Sequence, residues 1–161
     1  MQKNIFSIFF GEVQSYYLSR VVLKIIKEKL LNKMIKKADR ARQNAYAPYS
    51  DFQVGASVLG ADGIIYSGCN VENISLGLTI CAERNAVFSA VAAGCQDISV
   101  LVVISDSSPP ATPCGACRQV LVEFANNLEI IITNLKNETK RYDILELFPE
   151  PFARENDYYE L

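Results

Sequence analysis

The chain has 161 residues, half of them apolar and 21% charged, and so has the makings of one globular core; a multidomain assembly and a disordered polypeptide are both excluded. Sixteen basic residues against eighteen acidic ones leave a net charge of −2, with no electrostatic reason to expect a nucleic-acid partner. Histidine is absent, which removes the commonest general base and the commonest metal ligand together, so any metal must be held by sulfur or carboxylate.

In chain order, residues 13–45 carry apolar side chains at Leu18, Val21, Val22, Ile25, Ile26, Leu30, Met34, Ile35 and Ala38. Those spacings of three and four predict amphipathic helix, one long or two shorter. Lys24, Lys27, Lys29, Lys33, Lys36 and Lys37 fall on the other, solvated face. Pro48 ends the pattern. From Phe52 the period becomes two, with Phe52, Val54, Ala56 and Val58 alternating against Gln53, Gly55 and Ser57. Asp62-Gly63 then turns the chain into Ile64-Ile65-Tyr66, and the whole reads as a β-hairpin. Cys81 to Ala93 is predicted helical and closes at Gly94. Ile98–Ile104 is a β-branched run of the kind buried on both faces.

Pro109, Pro110 and Pro113 break the chain before a third helix expected from Cys114 to about Asn126. Glu129–Thr133 and Lys140–Tyr142, on either side of Lys136-Asn137, read as two more strands. Helices alternating with continuous apolar strands predict an α/β fold, a sheet covered by helices on both faces. The longest apolar run, Val100–Ile104, is far short of the roughly 20 residues that cross a bilayer, so no membrane span is expected. The N-terminal apolar stretch is followed by Gly11-Glu-Val-Gln14 and not by a small-x-small cleavage site, which predicts a cytoplasmic protein.

The five cysteines, an odd number, argue against a disulfide scaffold. Cys81 opens one predicted helix, and Cys114 and Cys117 open the next within Pro113-Cys-Gly-Ala-Cys117. At i and i+3, Cys114 and Cys117 share a helix face and can grip a metal together. Alone, Cys-x-x-Cys fits a dithiol redox site or two buried cysteines equally well. Cys81-Ala-Glu83 shifts the balance, because hydrolytic zinc needs three protein ligands, an open fourth position for water and a carboxylate to move protons. Cys81, Cys114 and Cys117 are therefore the candidate ligands, and Glu83 the candidate proton carrier. A structural zinc would need Cys69 or Cys95 as a fourth ligand. Three thiolates weaken the metal as a Lewis acid, so a positive group is needed to withdraw charge; Arg84 is the expected one, with helix N-termini assisting.

Four motifs occur in order: Ala45-Tyr-Ala-Pro-Tyr-Ser-Asp-Phe52, Gly68-Cys-Asn-Val-Glu-Asn73, Cys81-Ala-Glu-Arg84 and Pro113-Cys-Gly-Ala-Cys-Arg-Gln119. Together they resemble the small, homotetrameric, zinc-dependent cytidine deaminases. The resemblance runs from Met34 to Phe152. It implies a catalytic domain over 34–152, an N-terminal helical extension over 1–33 and a tail over 153–161. The implied fold is a three-layer α/β/α sandwich around a mixed five-stranded sheet.

The implied reaction is hydrolytic deamination of cytidine and deoxycytidine to uridine and deoxyuridine plus ammonia, with one zinc per chain. In that reading Glu83 shuttles protons, Phe52 packs on the pyrimidine, Asn70 and Glu72 bind the ribose, and Val71 adds main-chain contact. The closing motif, Leu147-Phe-Pro-Glu-Pro-Phe152, implies that Phe152 reaches into a neighbouring subunit's site of a tetramer. Leu76 stands where family members commonly have an aromatic residue. Two other readings remain beside this one: a related aminonucleoside deaminase, and a noncatalytic domain stabilised by zinc.

Overall fold

The computed structural model describes residues 27–125 and 127–152. The helical positions expected before Lys27, Asn126 at the expected end of the third helix, and the tail after Phe152 lie outside the described residues. The chain divides into two units, Met1–Lys33 and Met34–Leu161. In the first, residues 27–33 are helical. All the elements named below belong to the second.

That unit begins with helical residues 34–42 (α1). There follow β1 (Val54–Gly60), β2 (Ile65–Cys69), a single 3-10 turn at Leu76–Leu78 and α2 (Ala82–Ala92). The order continues with β3 (Ile98–Ser105), α3 (Gly115–Glu123), β4 (Glu129–Asn134), β5 (Thr139–Asp143) and α4 (Ile144–Leu147). The five strands form one sheet in the order β2-β1-β3-β4-β5. Only β3 and β4 are parallel, with Val102 opposite Ile131, so the sheet is mixed as expected. A parallel pair needs a crossover, and α3 supplies it.

Strand periodicity distributes the core between two layers of helix. Ala56 and Val58 of β1, Leu101 and Val103 of β3, and Ile130 and Ile132 of β4 are buried in one cluster with Ala86 and Ala90 of α2, Leu121 of α3 and Ile144 of α4. Residues one step out of phase face the other way. Ser57, Val102 and Ile131 lie opposite one another across β1, β3 and β4, and all are buried. On that side Ser57 Oγ donates to the Met34 carbonyl of α1 at 3.0 Å, which satisfies a hydroxyl with no water access. β1 is thus buried on both faces, although its alternation looks amphipathic.

Two glycines let the helices close on the sheet. A side chain at Gly55 would collide with the Ala38 carbonyl and the Arg42 amide of α1, and one at Gly68 would collide with Asn85 and Ala86 of α2. The Asp62-Gly63 turn forms as expected, with Gly63 at φ +77°, and Gly94 at φ +93° ends α2.

Three expectations need correction. β1 starts at Val54 and not at Phe52, because the Phe52 amide donates to Ser50 Oγ in a preceding turn. α3 stops at Glu123, short of Asn126, since the Phe124 carbonyl accepts from the Ile98 amide at the start of β3. α4 was not expected at all. Among the described residues no helix is long and apolar enough to cross a membrane.

Candidate active site

Cys81 and Cys114 are the N-cap residues of α2 and α3, both in extended conformation, and Cys117 lies one turn into α3. Neither N-cap thiol makes a capping hydrogen bond. The two face each other instead, with Cys81 Sγ 3.9 Å from Cys114 Sγ and Cys114 Sγ 3.4 Å from Cys117 Sγ. All three sulfurs lie within 4.8 Å of one another, and neither Cys69 nor Cys95 joins them. A tetrahedral metal with bonds of about 2.3 Å to sulfur sets its ligands about 3.8 Å apart. The triangle therefore fits zinc with one coordination position left over, and the missing fourth sulfur argues against a closed structural site.

Two helix N-termini carry partial positive charge to this point. The Cys81 thiol is held below its ordinary value, first by its interaction with the neighbouring Cys117 thiol and next by Arg84. Cys117 is pushed in the opposite direction by the same interaction and by burial. Arg84 Nη2 donates to the Thr79 carbonyl at 2.9 Å and lies 3.7 Å from Cys81 Sγ, while its buried Nε has no partner. Arg118, the other arginine next to a cysteine motif, is turned away; it donates to the carbonyls of Pro113 and Leu147.

Glu83, in the first turn of α2, is 5% exposed. Burial pushes its carboxyl up to about 7. It lines a cavity of about 240 Å³ together with Cys81, Cys114, Phe52, Asn70 and Glu72. Carboxyl, two of the thiols and three of the expected substrate-binding side chains thus share one space, although they come from four different segments.

Asn70 is buried, and its amide bridges the loop before β1: Oδ1 accepts from the Val54 amide at 2.9 Å and Nδ2 donates to the Phe52 carbonyl at 2.8 Å. One N–H of that amide stays available. Glu72 accepts from the Tyr49 and Ser50 amides and from Ser50 Oγ, and these bonds hold its carboxylate below the usual range. Val71 stands outside the cavity lining, with its N–H and carbonyl paired to Ile80. Phe152 is also outside it; its side chain is 86% exposed, and its backbone is gripped at both ends by the Gln119 side chain. Ser50, Thr79, Ala111 and Thr112 line the cavity without having been singled out in the sequence. Ser50 at least lies inside a motif that was.

A family model described as the cytidine and deoxycytidylate deaminase zinc-binding region matches residues 28–133. The chain belongs to that family. A cytidine deaminase of Sporosarcina psychrophila is 44% identical over 130 residues, covering 80% of this chain and 96% of that protein. A probable cytidine deaminase of Dictyostelium discoideum is 42% identical over 127 residues, covering 78% of this chain and 86% of that one. The crystal structure of cytidine deaminase from Burkholderia pseudomallei superposes with a TM-score of 0.73 at 44% identity, over 75% of this chain and 98% of that one. The deaminase family membership and the α/β fold rest on the same stretch of chain, which contains all three clustered cysteines.

Proposed function

We propose that the chain hydrolytically deaminates cytidine and deoxycytidine, giving uridine or deoxyuridine and ammonia, with one zinc held by Cys81, Cys114 and Cys117. The observation that carries this reading is that Cys81, Cys114 and the buried Glu83 carboxyl line one cavity, with the Cys117 sulfur within 4.8 Å of the other two. Bound there, the metal supplies Lewis-acid activation of a water molecule. Glu83 takes a proton from that water and passes it to N3 of the pyrimidine, then takes the proton left on the attacking oxygen and gives it to the amine that leaves from C4. Oxygen from water replaces nitrogen at C4, and ammonia is the leaving group. Arg84 withdraws charge from Cys81 and so keeps the three-thiolate site from becoming too electron-rich to activate water.

Phe52 offers an aromatic face to the base, and Asn70 and Glu72 offer a donor and an acceptor to the sugar. Since the Val71 amide is paired with Ile80, any main-chain contact from that residue would come through a free lone pair of its carbonyl. Phe152 acts in a neighbouring subunit of a homotetramer. Its exposure supports this, as do the neighbouring positions Ile74, Leu76 and Leu78, which are 82%, 72% and 65% exposed. Leu76 belongs to that subunit contact in place of an aromatic residue. Residues 34–152 are the catalytic domain, 1–33 an added helical extension and 153–161 a tail. Five free cysteines suit a reducing compartment, and we assign the protein to the cytoplasm.

The test is to purify the chain, measure its zinc, and follow loss of cytidine absorbance with release of ammonia, alongside light scattering for the assembly state. Turnover of cytidine by a zinc-containing tetramer is expected. A zinc-loaded chain inert to cytidine and deoxycytidine would overturn the substrate assignment, and a fully active monomer would overturn the subunit-crossing role of Phe152.

A further inference from the structure

The sugar end of the cavity depends on a side chain with no role in the reading above. Residues 47–52 form a tight turn in which the Asp51 amide donates to the Ala47 carbonyl at 3.0 Å and Asp51 takes φ +55°. This turn is joined to the Asn70–Glu72 segment, because the Tyr46 amide donates to the Asn70 carbonyl at 3.0 Å and the Glu72 amide to the Tyr46 carbonyl at 2.8 Å. At its apex Ser50 Oγ accepts from the Phe52 amide at 3.1 Å. That bond occupies a lone pair and leaves the hydroxyl hydrogen for Glu72 Oε1, to which Ser50 donates in a short hydrogen bond. Glu72 Oε2 accepts from the Tyr49 amide at 2.9 Å and from the Ser50 amide at 3.3 Å.

A carboxylate accepts in about four directions. Three are occupied here, all by Tyr49 and Ser50, and the remaining one is on Oε1, the oxygen that Ser50 Oγ holds. A glutamate without these bonds would lose rotamer freedom on binding a ligand, a cost avoided when the side chain is already fixed. We propose that Ser50 is a positioning residue for sugar recognition: its hydroxyl fixes the Glu72 carboxylate so that the one open acceptor of Oε1 meets a ribose hydroxyl. The proposal rests on the reading of Glu72 as the sugar acceptor. It makes affinity for the ribose, and not the rate of the chemical step, the property that Ser50 controls.

The experiment compares Ser50→Ala, Ser50→Thr, Glu72→Ala and the Ser50→Ala/Glu72→Ala double variant of the zinc-containing enzyme on cytidine and on 2′,3′-dideoxycytidine, which has no hydroxyl on that edge of the sugar. Ser50→Ala is expected to raise KM for cytidine roughly tenfold, about the effect of one charge-assisted hydrogen bond, with kcat nearly unchanged. On dideoxycytidine it changes little, and Ser50→Thr, which keeps the hydroxyl, restores most of the cytidine affinity. Adding Ser50→Ala to Glu72→Ala costs little more, because the partner is already gone. Equal loss on both substrates, loss in kcat with KM unchanged, or a normal KM for Ser50→Ala beside a raised KM for Glu72→Ala would overturn the proposal while leaving Glu72 as the sugar acceptor. A normal KM for Glu72→Ala would overturn that assignment and the proposal with it.

Discussion

Helices of this fold begin in two different ways. α4 has only four residues, yet its start is fully capped: Asp143 Oδ1 accepts from the Leu145 amide and Glu146 Oε2 accepts from the Asp143 amide, both at 2.9 Å. α2 and α3 are 11 and nine residues long, and each starts on a cysteine that caps nothing. A serine, aspartate or asparagine at such a position typically stabilises a helix by about 1 kcal/mol. The chain forgoes that stabilisation twice, at the two places where a thiol is brought to the shared cavity. Departures from local rules of this kind collect where a site must be built. The helix start that follows the rules lies away from the cavity.

Cysteine ligands and a proper cap can be exchanged to break this contrast. Cys114→Ser puts a preferred N-cap residue at α3; its metal-free form is expected to be more stable than the metal-free wild type by about 0.5–1 kcal/mol, while bound zinc and turnover are lost. Elemental analysis and metal-free denaturant melts check the two halves separately. In the assembly proposed above, where Phe152 completes a neighbouring subunit's site, Phe152→Ala is expected to weaken cytidine binding by about tenfold, read from KM, because an aromatic contact to the substrate site is removed. Asp143→Ala serves as the control for α4, with a loss of about 1 kcal/mol in a denaturant melt and no change in kcat/KM.

The smallest effect expected is with pH. Hydrogen bonds from Ser50 and Tyr49 hold the Glu72 carboxylate below its ordinary value of 4.5, so the ionised form persists as pH falls past that value. Its contribution is present above the unfolded value and is lost only when pH falls through the lower folded one. The ratio of KM for cytidine between Glu72→Ala and wild type should therefore stay flat from neutral pH down to about pH 5, a range in which an unperturbed glutamate begins to protonate, since the titration of Glu83, pushed up to about 7, is common to both.

The metal end of the site was more legible in the sequence than the sugar end, for a physical reason. Cys81, Cys114 and Cys117 are rare residue types at strand-to-helix junctions, and such junctions converge at the end of a sheet whatever the loops do. The strands announced themselves through runs such as Ile98–Ile104 and Glu129–Thr133, where continuous β-branched residues leave little choice of conformation. Ser50 and Glu72 meet only because two loops are bonded to each other across 22 positions of chain, and neither residue type is unusual in a turn. The four-residue α4 is too short for any periodicity, although Asp143-x-x-Glu146 carries its capping signature. Ser57 reads as an outward-facing polar residue of a hairpin and is fully buried, because α1 covers a face that the alternation assigns to solvent. The role proposed for Phe152 came only through resemblance, since an exposed phenylalanine carries no functional signal of its own.

In the proposed reaction Glu83 moves protons beside a metal that it does not hold. Turnover of cytidine and zinc content, measured together on wild type and Glu83→Gln, test it most directly. Ammonia release is expected from the wild type, none from the variant, and about one zinc per chain in both, since the amide keeps the shape of the carboxyl and the three thiols are untouched. A variant that turned cytidine over at the wild-type rate, or that had lost its zinc, would contradict it.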